Sequence, residues 1–173
     1  DGHGAGCGEE KGRRGRGLMA LVVDTNVWVV AAGRAAVGAA CETTCISALS
    51  DLAERGTLAV DMDHQILGEY HSNVPPGTLP DVLLRGMLRV AGRVEYRQCR
   101  WERAGVAVVP DCLRDLDPSD RKFAAVALTY MPPAPILNAT DTDWQQCAAG
   151  VREAGLAVRE LCPDELRSGS GGC

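Results

Sequence analysis

Residues 19–26 read MALVVDTN, an apolar run that stops abruptly at the carboxylate of Asp24. Four consecutive apolar residues, 20–23, are typical of a strand buried on both faces of a parallel sheet. Asp24 would then lie at the carboxyl end of that strand, the edge where open α/β sheets bind ligands. Aspartate is also a good helix cap, so Asp24 fits equally well as the N-cap of a following helix.

Outward from this stretch, strand-like apolar runs alternate with segments of helical periodicity. Such alternation is typical of a parallel sheet covered by helices, so the sequence predicts an α/β fold. The expected strands are 20–24, 58–61, 106–109, 136–139 and 156–158. The expected helices are 43–54, 64–71, 80–94, 118–130, 144–154 and 163–166.

The chain of 173 residues is the size of one domain, and we find no internal repeat. With 46% hydrophobic and 24% charged residues, it lacks the composition of a disordered protein. Residues 1–18, rich in Gly and Arg, are expected to be a disordered leader or tag that ends before the true start at Met19. We expect the folded domain to span 19–166 and a flexible tail to span 167–173.

Charge and hydropathy limit the partners. A net charge of -5 excludes a strongly basic nucleic-acid binder, so any attraction to polyanions must be local. The apolar run 18–23 follows several arginines like a signal peptide, but it stops at Asp24. A signal core needs about 7 to 15 apolar residues and a membrane helix about 20. We therefore expect a cytoplasmic protein with no membrane partner.

The eight cysteines have no paired CxxC spacing, which predicts independent thiols. Cys41 and Cys45 lie four residues apart and could share a helix face. However, no second pair of cysteines and no nearby histidine completes a zinc site. The three histidines likewise form no catalytic set, which argues against hydrolysis by a nucleophilic side chain. The cysteines are Cys7, Cys41, Cys45, Cys99, Cys112, Cys147, Cys162 and Cys173.

A second carboxylate follows a second predicted strand. Residues 135–139 read PILNA, and they run directly into 140–144, TDTDW. Asp141 therefore occupies the same kind of strand-end position as Asp24. The N-cap before Trp144 is Asp143 or Thr142, and Asp143 is favoured for this structural role.

Two further acids lie on predicted helices. Asp120 follows the helix start Asp117-Pro118, where capping alone would explain an acid. However, Asp120 shares a face with an apolar stripe, whereas a purely solvent-facing acid would lie on the opposite side. Glu69 comes three residues after Ile66, and a lone Glu in such a place is usually solvated.

The order of a strand-end Asp, a helical Glu, a helix-start Asp and a strand-end Asp resembles that of the PIN-domain family. No single motif is specific, and the order and spacing carry the resemblance, which covers nearly all of 19–166. The matching stretches are VVDTNV at 22–27, EY at 69–70, DRKFAAVA at 120–127, TDTD at 140–143, GLAV at 155–158 and CPDEL at 162–166.

The resemblance implies a three-layer α/β/α sandwich around a mostly parallel sheet. It also implies a Mg²⁺- or Mn²⁺-dependent endoribonuclease that hydrolyses single-stranded RNA, leaving 5'-phosphate and 3'-hydroxyl ends. Carboxylates about 4 Å apart repel by roughly 4 kcal/mol per pair at an effective dielectric near 20, and a hard cation offsets that repulsion. The implied catalytic residues and metal ligands are Asp24, Glu69, Asp120 and Asp141.

Two neighbouring residues are implied to orient these ligands from an outer sphere, Asn26 and Thr140. The family often has its Thr two residues before the last acid, whereas Thr140 directly precedes Asp141. The choice between Asp141 and Asp143 as a metal ligand therefore stays open.

For substrate binding, arginines recur every four residues at Arg85, Arg89, Arg93 and Arg97, with Arg100 and Arg103 beyond. They predict a basic row on a helix. Such a row is more often a solvated face than an RNA-binding ridge, and we favour the solvated face.

The implied partners are single-stranded RNA, an antitoxin protein if the chain is the toxin of a toxin-antitoxin pair, and a second copy in a homodimer. The alternative is a catalytically inactive PIN-like scaffold or RNA-binding module, because some relatives keep the fold and lose the acids. A haloacid-dehalogenase-like phosphatase is disfavoured, since it needs Asp-x-Asp and residues 24–26 read DTN.

Overall fold

The computed structural model describes residues 19–102 and 105–168, and it confirms an α/β fold. Five parallel strands form one central sheet with helices packed on it, consistent with a three-layer α/β/α sandwich. The strands are β1 Met19–Val23, β2 Gly56–Asp61, β3 Val94–Arg97, β4 Ile136–Asn138 and β5 Val158–Glu160. The helices are α1 Thr25–Ala31, α2 Ala39–Arg55, α3 Gln65–Asn73, α4 Leu79–Arg89, α5 Arg121–Ala127, α6 Asp143–Gln146, α7 Ala148–Glu153 and α8 Pro163–Ser168, with a 3₁₀ turn at Asp111–Leu113.

The strand order is β3-β2-β1-β4-β5, which places β1 at the centre. The chain builds outward from β1 through β2 to β3 and then crosses to the other side of β1 to form β4 and β5. The direction of winding therefore reverses between β1 and β4. In open parallel sheets the crevice beyond the carboxyl ends of such a strand pair is where ligands bind.

Both readings of the opening stretch hold in the structure. Val22 and Val23 are fully buried in β1, and Asp24 directly follows them. Asp24 is also the N-cap of α1, because one of its carboxylate oxygens accepts a hydrogen bond from the backbone N of Asn26. The helix α1 itself had not been predicted, since a run of valines favours a strand.

The third strand differs from the prediction. The helix expected over 80–94 ends at Arg89, and the chain turns at Gly92, whose φ is +79°. Residues 94–97 then pair with β2. The strand predicted at 106–109 is wrong, because within the described residues this segment forms no strand and pairs through an isolated antiparallel bridge from Ala107 to Trp101. An exposed edge strand such as 94–97, VEYR, carries too little apolar signal to compete with a preceding helical pattern.

Other boundaries shift by a few residues, as expected where caps rather than periodicity set the ends. The helix predicted over 144–154 is two short helices, α6 and α7, which meet at Cys147. The predicted leader 1–18 and most of the tail lie outside the described residues. Within 19–102 and 105–168, no helix combines the length and apolarity needed to cross a bilayer.

The prediction of independent thiols is wrong for two cysteines. Cys41 on α2 and Cys162, which follows β5, form a disulfide with their Cα atoms 5.2 Å apart. These residues are separated by 121 positions in the chain. Short-range spacing therefore holds no information about the pair, because only the tertiary fold brings α2 and the end of β5 together.

Candidate metal centre

Three carboxylates converge beyond the carboxyl ends of β1 and β4. Asp24 follows β1, Asp141 follows β4, and Asp120 directly precedes α5, a helix that packs against both strands. One oxygen from each of the three lies within 4.8 Å of the others. Asp24 and Asp120 are buried, and Asp141 is half-buried. The group therefore occupies the crevice where the winding of the sheet reverses.

Asp24 is held by neutral donors. The indole Nε1 of Trp144 donates to its Oδ2 at 2.8 Å, and the backbone N of Asn26 donates to Oδ1 at 3.1 Å. Both hydrogen bonds favour the charged form, yet burial outweighs them and raises the pKa of Asp24 to about 6. The side chain is thus fixed in place while its negative charge is left without a matching cation.

The charged form of Asp120 is stabilised by fewer hydrogen bonds than that of Asp24. Burial, followed by the negative charges of Asp24 and Asp141, raises the pKa of Asp120 to about 8. Lys122 acts in the opposite direction but does not cancel these effects. The hydroxyl of Ser119 reaches an oxygen of Asp120 only at 3.4 Å. A carboxylate in this state gains most from a nearby cation.

The structure distinguishes the two aspartates after β4. Asp141 belongs to the converging group, whereas Asp143 is the first residue of α6 and lies outside that group. The backbone N of Asp143 donates to Oδ1 of Asp141 at 2.9 Å. The N-cap of α6 is Thr142, so the N-cap role favoured for Asp143 is wrong. The geometry thus selects Asp141 as the ligand candidate.

Glu69 on α3 is engaged elsewhere and is not a member of the converging group. One of its oxygens accepts a hydrogen bond from the hydroxyl of Thr25 at 2.5 Å. The other forms an ion pair with the ammonium of Lys122 at 2.7 Å. Lys122 is itself 7% exposed and also donates to the backbone O of Ser119. Glu69 therefore borders the site through Lys122.

Asn138 at the end of β4 links the strand ends. Its Nδ2 donates to the backbone O of Asp141 at 2.7 Å and to a carboxylate oxygen of Glu160 at 2.6 Å. Its Oδ1 accepts from Nδ2 of Asn26 at 2.8 Å and from the backbone N of Asp141 at 3.2 Å. The fully buried amide thus connects α1, β4 and β5 and fixes the turn that carries Asp141.

Of the two residues predicted to orient the ligands, Asn26 forms side-chain hydrogen bonds at the site and, within the described ranges, Thr140 does not. The side chain of Asn26 bonds to Asn138 and, through Oδ1, to the backbone N of Ala139 at 2.8 Å. It therefore acts on Asp141 through Asn138, while only its backbone contacts Asp24. Thr140 is half-buried, and the described part of the chain shows no hydrogen bond from its side chain.

Three residues of the site were missed at the sequence level: Lys122, Asn138 and Trp144. Lys122 had a readable signal, since a lysine amid the apolar residues of 123–127 must be buried and therefore paired. Asn138 had a similar signal, since a polar side chain in a buried strand needs hydrogen-bond partners. For Trp144, the sequence showed a large buried residue but not the direction of its indole N–H.

The predicted basic row does not exist as one helical face. Arg85 on α4 pairs with Asp81 at 2.7 Å. Arg93 lies beyond that helix and donates to the backbone O of Glu54 at 2.7 Å. Arg97 lies on β3 and donates to Thr129. The period-four spacing spans a helix, a turn and a strand, so it has no common surface; Arg103 lies outside the described residues.

Two arginines lie near the acids, on a different surface. A cavity of about 450 Å³ is lined by Arg114 and Arg121 and also by Asp115, Asp117 and Asp143. Arg114 is largely exposed, and among the described residues its ion pair is with the exposed Asp111, at 2.6 Å. Another cavity, of about 480 Å³, lies between α2 and the sheet. Neither cavity includes any of the three converging acids, and the first is lined by more carboxylates than guanidiniums.

No protein-family model matches this chain, and no curated protein or solved structure matches it either. The chemistry of the site must therefore be argued from its own residues.

Proposed function

We propose that this chain is a cytoplasmic, divalent-cation-dependent nuclease of the PIN-domain type that hydrolyses phosphodiester bonds in single-stranded RNA. One observation carries the proposal. The side chains of Asp24, Asp120 and Asp141 come from three separate segments and place their oxygens within 4.8 Å of one another in a crevice. The order of these acids along the chain is also the order that the resemblance implies.

The donor set fits a hard divalent cation. All three ligating side chains offer oxygen, which is the donor that Mg²⁺ and Mn²⁺ prefer. Burial and mutual repulsion raise the pKa of Asp24 to about 6 and of Asp120 to about 8, as expected of acids that lack a counter-ion. A bound cation would neutralise developing charge on the phosphodiester and activate water for attack.

The surrounding side chains keep this donor set in position. Trp144 and the backbone of Asn26 hold Asp24, and Asn138 holds the turn of Asp141. Lys122 is anchored by Glu69 and by the backbone O of Ser119, beside the carboxylates. Its ammonium therefore offers a fixed positive charge to the anionic oxygens of a phosphodiester.

For the substrate path, Arg114 and Arg121 on the cavity that includes Asp143 are the candidate phosphate contacts. The guanidinium of Arg114 is exposed, whereas that of Arg121 donates to the backbone O of Leu116 and of Arg114. Three carboxylates line the same cavity, so attraction of RNA to this surface would depend on bound divalent cations. An antitoxin partner and a homodimer stay predictions of the resemblance.

A second function has one observation in its favour. The fourth predicted ligand, Glu69, is neutralised by Lys122 rather than grouped with the other acids. A catalytically inactive PIN-like scaffold or RNA-binding module would tolerate this arrangement, because it needs no fourth ligand. The two functions differ in whether the purified chain cleaves RNA when a divalent cation is present.

The test is cleavage of end-labelled single-stranded RNA by the purified chain with Mn²⁺, with Mg²⁺ and with excess EDTA. We expect cation-dependent products with 5'-phosphate and 3'-hydroxyl ends. Asp24→Asn should reduce the rate by more than the roughly 10- to 100-fold typical of losing an outer-sphere partner. The amide keeps the shape and one oxygen acceptor, but one of the two donors to Asp24, the Trp144 indole or the backbone N of Asn26, loses its acceptor, so the folding of the variant is measured beside its activity.

Asp51→Asn serves as the matched control, since Asp51 is exposed on α2 and pairs only with Arg55. The control should cleave at the unmodified rate. Cleavage by Asp24→Asn at that rate, or cleavage that survives EDTA, would remove the three carboxylates from the mechanism. RNA binding without any cleavage would support the scaffold instead.

A further inference from the structure

Three sulfur atoms meet where α2 contacts the segment after β5. Cys41 and Cys45 lie one turn apart on α2, and Cys162 follows β5. Their Sγ atoms all lie within 4.8 Å of one another, and all three residues are buried. We call these three residues the sulfur cluster.

The sulfur cluster holds one more sulfur than a disulfide needs. Cys41 and Cys162 are bonded to each other, and the thiol of Cys45 lies 3.9 Å from Sγ of Cys162. Cys45 is fully buried, and in the described residues its only hydrogen-bond partner is that sulfur. A buried thiol alone is usually a small hydrophobic residue. Here, however, it is aimed at two other sulfurs at ligand spacing.

We propose that, once the disulfide is reduced, Cys41, Cys45 and Cys162 form a binding site for a thiophilic cation such as Cd²⁺, Zn²⁺ or Cu⁺. Thiolate sulfur selects soft cations over Mg²⁺ or Ca²⁺, and the group contains no carboxylate or imidazole. The site is distinct from the carboxylates of the candidate metal centre and does not rest on the proposed nuclease function.

Two steps lead to the occupied site. Two external thiols reduce the disulfide to two thiols and are themselves oxidised to a disulfide, or one phosphine and one water do so, the water supplying the oxygen of the phosphine oxide and the two thiol protons. A divalent cation then displaces the three thiol protons and forms three metal–sulfur bonds. No further oxidant or reductant is required, and the cysteines stay reduced while the cation is bound.

The local structure acts in opposite directions on the two thiols of α2. Cys41 lies in the first turn of the 17-residue helix α2, where the helix dipole stabilises a thiolate. Cys45 lies one turn further on the same face, so both sulfurs point the same way without rearrangement. Burial raises the pKa of the Cys45 thiol to about 11, so a cation must displace its proton and uptake should weaken at acidic pH.

The number of sulfur ligands limits which ions fit the site. A structural Zn²⁺ site has four protein ligands, whereas three sulfurs leave one position for water or suit a three-coordinate ion. The Cys41–Cys162 disulfide and the cation compete for the same two sulfurs. Oxidised protein should therefore bind no thiophilic cation at this place.

The experiment titrates Cd²⁺ into the full chain under anaerobic conditions. One sample is reduced with a phosphine that is then removed, and a parallel sample is left oxidised. Thiolate-to-cadmium charge-transfer absorption and the Cd²⁺ that survives desalting are measured in the presence of excess Mg²⁺, which occupies oxygen sites. We expect one tightly held Cd²⁺ per reduced chain and none per oxidised chain.

Two variants locate the ion. Cys45→Ser removes the third sulfur and should weaken Cd²⁺ binding by more than about 100-fold, beyond the cost of losing an outer-sphere partner. The matched control replaces the five other cysteines with serine, Cys7, Cys99, Cys112, Cys147 and Cys173, and should keep both the absorption and the stoichiometry.

The proposal is overturned by any of three results: no Cd²⁺ on the reduced chain, equal Cd²⁺ on the oxidised chain, or loss of Cd²⁺ in the five-cysteine control. If Cys45→Ser fails to fold, Cys45→Ala and the oxidised-against-reduced comparison still decide. RNA cleavage measured on the same samples keeps a failure here separate from a failure of the proposed nuclease.

Discussion

Residues 19–102 and 105–168 hold two clusters of ligand-type atoms, one of oxygen and one of sulfur. The carboxylates of Asp24, Asp120 and Asp141 lie beyond the ends of β1 and β4, whereas the sulfur cluster joins α2 to the segment after β5. In the oxygen cluster the members repel and are held by outside partners. In the sulfur cluster two members are bonded to each other. Without a ligand, the oxygen cluster therefore lowers the free energy of unfolding, whereas the disulfide of the sulfur cluster raises it.

The largest change in the free energy of unfolding should come from reducing the Cys41–Cys162 disulfide. A cross-link over 121 positions restricts the unfolded chain, and bonds that close such long loops typically contribute about 2 to 5 kcal/mol. Reduction should lower the free energy of unfolding by that amount, as measured by urea denaturation with and without phosphine. The double variant Cys41→Ser with Cys162→Ser should be insensitive to the reductant. Equal stability of reduced and oxidised protein would contradict the assigned contribution.

Next in size is the loss of the amide that links the strand ends. Asn138→Leu keeps the volume but leaves the polar groups of Asn26, Asp141 and Glu160 without their buried partner. We expect a loss of about 3 kcal/mol in the free energy of unfolding, since each unsatisfied buried group costs about 1 to 3 kcal/mol. Exposed Asn73→Leu on α3 is the control and should change stability by less than about 0.5 kcal/mol. Similar values for the two variants would mean that Asn138 does not organise the site.

A smaller effect is a pH dependence opposite to ordinary acid denaturation. Burial raises the folded-state pKa of Asp24 to about 6 and of Asp120 to about 8, above the unfolded value of 3.8. Folding therefore takes up protons, and the stability gained by protonation is full below about pH 4 and is lost as the pH rises through 6 and 8. In EDTA, unfolding free energy should fall by more than about 1 kcal/mol between pH 5 and 9.

Saturating Mn²⁺ should cancel that fall, because a cation that binds only the folded state stabilises the charged carboxylates. Asp120→Asn should flatten the profile in EDTA, whereas Asp51→Asn should preserve it. A profile that rises with pH in EDTA would show that the three acids do not repel in the folded chain.

The smallest effect is expected from the arginines outside both clusters. Replacing Arg85, Arg89 and Arg93 with Gln should leave the salt dependence of single-stranded RNA binding unchanged, because Arg85 is paired with Asp81 and Arg93 lies beyond α4 with its guanidinium on backbone carbonyls. Arg114→Gln, beside the carboxylates, should flatten the log-log slope by about 0.7 if one phosphate contact is lost. The reverse outcome would restore the arginine row as the RNA-binding surface.

The oxygen cluster was largely predictable, and the sulfur cluster was not. Strands 20–24 and 136–139 were visible as apolar runs, and parallel strands bring the acids that follow them to one edge. The sulfur cluster depends on where α2 packs against the end of β5, which no periodicity encodes. The prediction of an arginine row was wrong for a related reason. Residues spaced four apart share a face only within one helix, and the chain leaves the helix before the turn at Gly92.

Details inside the oxygen cluster were also hidden from the sequence. Glu69 carries the right charge at the right place in the order, but Lys122 neutralises it. That ion pair depends on how α3 meets α5, which is a matter of tertiary packing. Likewise, only the turn that Asn138 fixes brings Asp141, and not Asp143, into the converging group.

The hydrogen bonds that place the acids come mainly from neutral groups. Asp24 uses both of its oxygens as acceptors, one for the indole N–H of Trp144 and one for the backbone N–H of Asn26. An amide has a single carbonyl oxygen, so an asparagine at position 24 would turn its NH₂ toward one of these two donors. The pocket around Asp24 therefore discriminates a carboxylate from its neutral isostere by hydrogen bonding alone, before any cation enters. Loss of the acid at this position would leave a mark in the fold as well as in the affinity for a cation.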